Sequence, residues 1–186
     1  MKPILLDFPS HFSTKRLFIR MPQPGDGKVV HDAIKASCEE LKPWLPFAKK
    51  DQTLEQVEEN IREAHAKFLL REDLRLLVFH LETGEFIGSS GLHRIDWDVP
   101  KFEIGYWVDT RYAGKGYITE AVEGITKFAF DELHARRVEI RMDSKNERSR
   151  AIPERLGYEL EGILRNDDLA LDGSGLRDTC IYSVVR

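Results

Sequence analysis

The glycines at positions 114 and 116 mark the part of this chain best suited to binding a ligand through its backbone. They stand in Arg111-Tyr112-Ala113-Gly114-Lys115-Gly116, between an apolar run that predicts a strand and a pattern that predicts a helix from Tyr117. Such a loop turns several backbone N–H groups toward one point, where the positive end of the helix dipole adds to them. A missing Cβ allows left-handed φ and close approach of a ligand. With positive charge from Arg111 and Lys115, the segment predicts a phosphate-binding loop.

Spacing excludes two common phosphate loops. A Walker motif needs four residues between its glycines and a following Lys-Ser/Thr, and a dinucleotide-binding fingerprint needs three glycines. Neither pattern is present in the segment.

The pattern Arg-x-x-Gly-x-Gly at 111–116 matches the pyrophosphate-binding motif of the GNAT superfamily of N-acetyltransferases. Further segments stand in the order and spacing of the branch typified by RimJ and RimL, which acetylates the N-termini of ribosomal proteins. These segments are Thr-Lys-Arg-Leu-Phe-Ile-Arg (14–20), Ile-Gly-Ser-Ser-Gly-Leu (87–92), Glu-Ile-Gly-Tyr-Trp-Val (103–108), Asn-Glu-Arg-Ser (146–149), Leu-Gly-Tyr-Glu-Leu-Glu-Gly (156–162) and Asp-Thr-Cys-Ile-Tyr-Ser (178–183). The chain resembles this branch over about residues 12–184.

The resemblance implies acetyl-CoA as co-substrate, no metal, and direct transfer to an amine that the substrate supplies. It implies that the strand ending at Val108 parts from its neighbour, so that the Val108 N–H can polarise the thioester carbonyl. It places the cofactor contacts at the end of this strand, in the loop and at the start of a later helix. The predicted cofactor-binding residues are Trp107, Val108, Arg111, Ala113, Gly114, Lys115, Gly116, Tyr117, Ile118, Thr119, Asn146 and Ser149.

Glu103 is the first candidate for catalysis. Strand alternation places it on the face opposite Phe102 and Ile104, where it could remove a proton from the acceptor amine through water. The alternative is an ion pair with a basic side chain on a neighbouring strand, such as Arg94 or Arg141.

Ser149 and Asn146 lie where the next helix begins. By resemblance, Ser149 lies near the thioester sulfur, where its hydroxyl could protonate or stabilise the leaving thiolate, and Asn146 bonds the pantetheine arm. Asn is also a good N-cap, so capping alone is an alternative. Many relatives use a tyrosine further along this helix, and none is available there. Pro153 lies in that helix and lacks the N–H for the Ser149 carbonyl, so the helix is either kinked or begins later.

Asp168, with Asp167 beside it, is the third catalytic candidate. Relatives carry an acid here near the acceptor amine, where it could orient the amine or accept its proton. The alternative is a pair of solvated aspartates in a loop. Of the six histidines, only His93 is near the proposed cleft, and a structural role is expected for it.

The acceptor is predicted from amine chemistry. An α-amine of pKa ~7.7–8.0 is about a quarter neutral near pH 7.4, whereas a lysine at ~10.4 is neutral about one part in a thousand. The weak bases of this site therefore favour a protein N-terminus. Two alternatives stay open: a polyamine or aminoglycoside, which predicts an acceptor cleft lined by acids, and a non-catalytic CoA-binding module, which only Pro153 favours.

Composition limits the classes of protein that fit. The 186 residues suit one domain, 1–186. The formal charge of 28 − 32 = −4 leaves no electrostatic footprint for nucleic acid. No apolar run approaches a membrane span, and Cys38 and Cys180 have no ligand spacing, so a reduced, cytoplasmic protein is expected. A homodimer is a further expectation, since dimers are common in the branch.

The elements that must position these residues form a predicted α/β (α+β) fold. Strands are predicted near 17–20, 76–81, 85–91, 102–108, 137–142, 158–164 and 179–185, and helices over 26–41, 53–71, 117–133 and within 147–156. We expect a mixed, mostly antiparallel sheet of about seven strands with helices on both faces and one splayed strand pair that binds acetyl-CoA.

Overall fold

The computed structural model describes residues 2–186, and eight strands in that range form one sheet. The strands are β1 (His11–Ser13), β2 (Leu17–Arg20), β3 (Leu74–His80), β4 (Phe86–Asp96), β5 (Lys101–Val108), β6 (Arg137–Asp143), β7 (Glu159–Leu169) and β8 (Leu176–Val185). Their order is β1-β2-β3-β4-β5-β6-β8-β7, and only β5 and β6 are parallel. The mixed, mostly antiparallel sheet is confirmed. Its extra strand, β1, is three residues long, too short for an alternating pattern to reveal.

In the described part of the chain, five α-helices cover the two faces of this sheet. They are α1 (Gly27–Ala36), α2 (Cys38–Leu41), α3 (Leu54–Leu70), α4 (Tyr117–Asp131) and α5 (Glu147–Arg155). One core unites α1 and α3 with Leu77, Phe79 and Trp107, and a larger core packs α4 against Ile19, Leu76 and Ile104. Helices on both faces were predicted and are confirmed.

The start of α3 follows directly from its sequence. Thr53 Oγ1 accepts a hydrogen bond from the Gln56 N–H (3.2 Å), and Gln56 Oε1 accepts one from the Thr53 N–H (2.9 Å). This capping box satisfies two backbone donors that the helix itself cannot. The predicted start of the helix is therefore confirmed.

The prediction of one continuous helix from Asp26 to Leu41 is wrong. The helix breaks at the buried Ser37, whose hydroxyl accepts a hydrogen bond from the Thr110 N–H at 2.8 Å. This bond ties the end of α1 to the segment that follows β5. Apolar spacing cannot reveal such a contact, because the two partners are 73 residues apart.

Strand β5 separates the two cores as alternation predicts. Phe102 and Ile104 are buried in the core that contains α4, and Trp107 is buried in the core that contains α1 and α3. Glu103 and Gly105 share the parity of Trp107 and so belong to the face covered by α1 and α3.

The parallel pair β5 and β6 parts soon after it begins. Residues 101–103 pair with residues 137–139, and no further pairing joins the two strands within residues 2–186. The Asp109 N–H donates to the carbonyl oxygen of Ile87 in β4, at 2.9 Å. Because N–H directions alternate along a strand, the Val108 N–H points away from β4 and into the gap. The predicted splayed strand pair is confirmed.

Strand β7 is longer than predicted. It continues to Leu169 because β8 pairs with it as far as Leu176, across an irregularity between Leu164 and Asp168. Asp167 and Asp168 therefore lie in a strand, and their predicted placement in a loop is wrong.

The part of the chain that the structure describes shows two further features. None of its helices combines the length and apolar character needed to cross a bilayer. It contains no group of three or more His, Cys, Asp or Glu side chains placed to hold a metal ion, and both cysteines are free.

Candidate active site

The loop between β5 and α4 is shaped to hold an anionic group. Gly114 and Gly116 have φ of +75° and +77°, and a Cβ at Gly114 would meet nothing within 4 Å. The first hydrogen bond of α4 runs from the Glu120 N–H to Gly116 O at 3.1 Å. The N–H groups of residues 114–119 consequently have no partner in the described chain. The pyrophosphate of acetyl-CoA fits this cradle of free donors and open space.

Two cations stand beside the loop, as predicted. The Arg111 guanidinium is bound to the carboxylate of Asp109, which is fully buried, with Nε to Oδ1 at 3.0 Å. Lys115 Nζ lies 5.1 Å from the centre of the Tyr112 ring. Both cations therefore already interact with neighbouring side chains of the loop, Arg111 with Asp109 and Lys115 with Tyr112.

Arg16 is a third cation at this loop, and sequence reasoning missed it. Its Nε donates to Glu120 Oε2 at 2.6 Å, and its Nη1 donates to Lys115 O at 3.1 Å. Its Nη2 lies 3.5 Å from the point that a Cβ on Gly116 would occupy. Arg16 belongs to the segment 14–20 that resembles the family, but its ion pair spans 104 residues. Residue spacing gives no signal for a contact of that length.

Asn146 caps α5, with its Oδ1 accepting a hydrogen bond from the Ser149 N–H at 3.1 Å. The helix begins at Glu147 and contains Pro153. Of the two alternatives, a kinked helix or a later start, the later start is wrong. Ser149 accordingly stands in the first turn, at the position that the sequence predicted.

Tyr106 supplies the hydrogen bond that the Ser149 carbonyl cannot receive from Pro153. The Tyr106 hydroxyl donates to the Ser149 carbonyl oxygen at 2.8 Å, and Ser149 Oγ donates to the Tyr106 oxygen at 3.2 Å. Since proline has no N–H, this carbonyl lacks its helical partner, and the phenol of β5 replaces it. Burial raises the pKa of Tyr106 well above its ordinary value. The family pattern points to a tyrosine within the helix, whereas Tyr106 reaches Ser149 from a strand 43 residues away, which the sequence does not reveal.

A cavity of about 330 Å³ opens on the other face of the sheet, beneath α1 and α3. Its apolar lining is Val30, Ile34, Leu45, Phe47, Val57 and Trp107. Its polar lining is Gln52, Asn60, Arg75, Ser89, Ser90 and His93. Gly105 and Tyr106 of β5 also line it, so the cavity reaches the strand that borders the gap. Its lining in the described chain contains no carboxylate.

His93 lies on the floor of this cavity, held in place by a carboxylate. Its Nδ1 is 2.7 Å from Asp73 Oδ2. Its ring lies over Gly105, where an added Cβ would come within 3.7 Å of Nε2. A carboxylate on Nδ1 favours the tautomer with its proton there, which leaves the Nε2 lone pair free to accept a proton. A structural role is expected for His93 from the sequence, and that role does not account for a free Nε2 beside Gly105.

Glu103 lies near the cavity but does not line it. Its Oε2 is buried without a hydrogen bond in the described chain, and the nearest cation is Arg94 Nε at 3.5 Å. Burial raises the pKa of this carboxyl, while Arg94 and Arg141 oppose the rise. The side chain is thus within ion-pair distance of Arg94, one of the partners considered from the sequence.

Asp167 and Asp168 make ion pairs on the exposed β7. Asp167 Oδ2 is 3.3 Å from Arg141 Nη2, and Asp168 Oδ2 is 2.9 Å from Arg177 Nη2. The hydrogen bond from Arg177 lowers the pKa of Asp168. Neither aspartate lines the cavity.

Comparisons with known proteins agree with this geometry. Residues 16–159 match the family model described as the acetyltransferase (GNAT) domain. YdaF of Bacillus subtilis, whose name suggests a ribosomal N-acetyltransferase, is 33% identical over 177 residues, covering 92% of each chain.

Two solved structures share the fold. MccE, a microcin C7 self-immunity acetyltransferase in complex with acetyl-CoA and AMP, superposes with a TM-score of 0.87 at 20% identity, covering 96% of this chain and 98% of that one. RimL, a ribosomal L7/L12 alpha-N-protein acetyltransferase in complex with coenzyme A, gives 0.85 at 18% identity, covering 95% and 96%. At these identities the likeness shows the fold alone.

Proposed function

This chain belongs to the GNAT family of acetyltransferases, and we propose that it acetylates the N-terminal α-amine of a polypeptide. That it is an acetyl-CoA-dependent N-acetyltransferase follows from the family. The choice of a ribosomal or other protein as acceptor is supported by the name of YdaF, at 33% identity. We also propose that residues 1–186 form one domain, because strands from both ends of the chain belong to one sheet.

The acceptor cavity is the observation that carries this proposal. A polyamine or aminoglycoside carries several positive charges and calls for a cleft lined by acids. The lining of this cavity within residues 2–186 offers no carboxylate, and it contains Arg75. A cation in a half-buried pocket repels a second cation more strongly than it would in water. The cavity therefore favours an acceptor with one amine that reacts in its neutral form.

The cofactor side of the site uses the opposite face and the gap between β5 and β6. The N–H groups of residues 114–119 would bind the pyrophosphate, with Arg16, Arg111 and Lys115 beside them. The Val108 N–H, which points into the gap, would stabilise negative charge on the carbonyl oxygen. Acetyl-CoA, when bound, supplies the acetyl group as a thioester.

The proton of the attacking amine goes to His93 in this proposal. The His93 Nε2 lies beside Gly105, where the cavity meets β5, and Asp73 holds the imidazole in the required tautomer. An imidazole whose Nε2 lone pair is free is a common general base. Glu103, predicted as the base from the sequence, is the competing candidate. Asp168 has the least support, because it lies on exposed β7 and is paired with Arg177.

Ser149 and Tyr106 lie where we place the sulfur of CoA as it leaves the acetyl group. A thiol has a pKa of about 8.5, well below that of a serine or a buried tyrosine. Proton transfer from either hydroxyl to the thiolate is therefore unfavourable, whereas a hydrogen bond to it is favourable. We assign Ser149 to stabilise the thiolate by donation, which requires its hydroxyl to turn from the Tyr106 oxygen, 3.2 Å away, to the sulfur. The bond from Tyr106 to the Ser149 carbonyl holds the backbone of Ser149 in position meanwhile. Because Tyr106 satisfies the carbonyl that Pro153 frees, the proline no longer favours a non-catalytic module.

The proposal is tested by the release of CoA thiol with two matched peptides. One has a free Ala N-terminus and no lysine, and the other is blocked at its N-terminus and carries one lysine. We expect release with the first peptide only. Release with the second alone, or with spermidine alone, would refute the proposed acceptor. His93→Gln and Glu103→Gln then separate the two bases, because only loss of the true base abolishes the rise of kcat with pH.

A further inference from the structure

Arg75 is a charged residue in a position that its strand otherwise gives to apolar side chains. On β3, Leu77 and Phe79 share its face and are buried in the core beneath α1 and α3. Arg75 itself is half-buried and lines the acceptor cavity. Its Nε donates to Ser89 Oγ at 3.1 Å, and its Nη1 donates to Asn60 Oδ1 at 2.6 Å.

This guanidinium has no anionic partner. It makes no ion pair with any carboxylate of residues 2–186, and the nearby Asp73 is bound to His93. A guanidinium has five N–H donors, of which Ser89 and Asn60 use two. Burial lowers the pKa of Arg75, and the charge of Asp73 opposes this fall without reversing it. An unpaired charge of this kind costs stability unless a ligand compensates for it.

The position of Arg75 relative to the reaction follows from the strand register. Arg75 pairs with Gly91 on β4, and Gly91 pairs with Gly105 on β5. The three residues form one row across the sheet, and two strand spacings of ~4.8 Å separate Arg75 from Gly105 by about 10 Å. The two glycines keep this row free of side chains apart from the His93 ring. Two residues of extended chain, at about 3.5 Å each, cover about 7 Å of this distance, and the Arg75 side chain, which reaches Ser89 on β4, covers the rest.

We propose that Arg75 binds a carboxylate of the acceptor, placed within about two residues of the reacting amine. Neutral Asn60 and Ser89 hold the guanidinium without neutralising it, so its fork stays free for a bidentate carboxylate. Such a carboxylate has two sources: an acidic side chain at the first or second residue of a polypeptide, or the α-carboxylate of a free amino acid. The inference rests on the proposed function and specifies its substrate.

The test compares pairs of acceptors in which only the carboxylate changes. The pairs are peptides that begin Asp-Ala or Asn-Ala, peptides that begin Ala-Asp or Ala-Asn, and alanine against alaninamide. For each pair, kcat/KM is measured with the wild type, with Arg75→Gln and with Arg75→Lys. Arg62→Gln is the matched control, since Arg62 is exposed on α3 and its one ion pair within residues 2–186 is with Glu58.

We expect the wild type to prefer the acid of at least one pair by about tenfold to a hundredfold, the worth of a charge-assisted hydrogen bond. Arg75→Gln should remove the preference by lowering kcat/KM for the acid only, while Arg75→Lys retains part of it and Arg62→Gln all of it. The pair that shows the effect identifies the source of the carboxylate.

Two results would overturn the inference. One is that the wild type has equal kcat/KM for both members of all three pairs. This result is measured without any variant, so it does not depend on whether a variant folds. The other is a preference that survives in Arg75→Gln. If acetyl transfer to the neutral peptides is normal in either case, the proposed function stands and only the role of Arg75 is lost. If no α-amine is acetylated, both fall.

Discussion

The hydrogen bond from Tyr106 to the Ser149 carbonyl leads to the most specific prediction. Tyr106→Phe removes the hydroxyl that lies 2.8 Å from that carbonyl oxygen. Pro153 has no N–H to replace it, so a part-buried acceptor is left without a partner. Such a loss costs about 1–3 kcal/mol. For a chain of this length each kcal/mol lowers Tm by about 2–4 °C, so we expect a fall of about 2–12 °C.

Pro153→Ala provides the matched background. An alanine at 153 restores an N–H to α5, four residues after Ser149, and this N–H can bond the same carbonyl. Tyr106→Phe should then cost about 1 kcal/mol or less, the net worth of one ordinary hydrogen bond. The coupling energy in the double-mutant cycle is therefore about 1 kcal/mol.

The assay is urea unfolding of the wild type, the two single variants and the double variant, followed by circular dichroism. Near-identical costs of Tyr106→Phe in both backgrounds would refute the reasoning, because they would mean that Pro153 and Tyr106 do not share the carbonyl. Measuring kcat in the same four proteins shows whether Ser149 also loses its position.

Three further predictions concern the leaving group, the phosphate loop and acid stability. Ser149→Ala should lower kcat about tenfold, by loss of one hydrogen bond to the thiolate, and leave the Kd for acetyl-CoA unchanged in calorimetry; an unaltered kcat contradicts the assignment. Gly116→Ala should weaken acetyl-CoA binding about tenfold, since a left-handed φ costs a residue with a Cβ about 1–2 kcal/mol. Gly173, in the β7–β8 turn, has a similar φ of +79° and provides the control. Gly173→Ala should cost similar stability and leave acetyl-CoA binding intact. Arg137 lowers the pKa of Glu161 from 4.5 to about 2, so this carboxylate stabilises the fold above pH 4.5 and loses its effect as pH falls toward 2. The difference in Tm between the wild type and Glu161→Gln should therefore shrink over that pH range. A constant difference in Tm would contradict this prediction.

Local patterns in the sequence were sufficient to predict three features of the fold and the site. The capping box of Thr53 and Gln56, the alternation of β5 and the glycines before α4 each follow from neighbouring residues. The same holds for the parting of β5 and β6, which the family resemblance implied. These features depend on contacts within a few residues, or on a motif that carries its own geometry.

The parts that sequence reasoning missed depend on long-range pairing. Arg16 reaches the phosphate loop through Glu120, Tyr106 reaches the Ser149 carbonyl from another strand, and Ser37 ends α1 by binding Thr110. Each contact spans between 43 and 104 residues. The extension of β7 through Asp168 likewise depends on its partner β8 rather than on its own polar composition.

The most direct test of the central claim is to find which nitrogen receives the acetyl group. A peptide with a free N-terminal alanine and an internal lysine is incubated with the protein and acetyl-CoA, and the product is sequenced by tandem mass spectrometry. The account predicts a single acetyl group on the α-amine, with the lysine unmodified. Acetylation of the lysine alone, or no product from protein shown to bind acetyl-CoA, would contradict it.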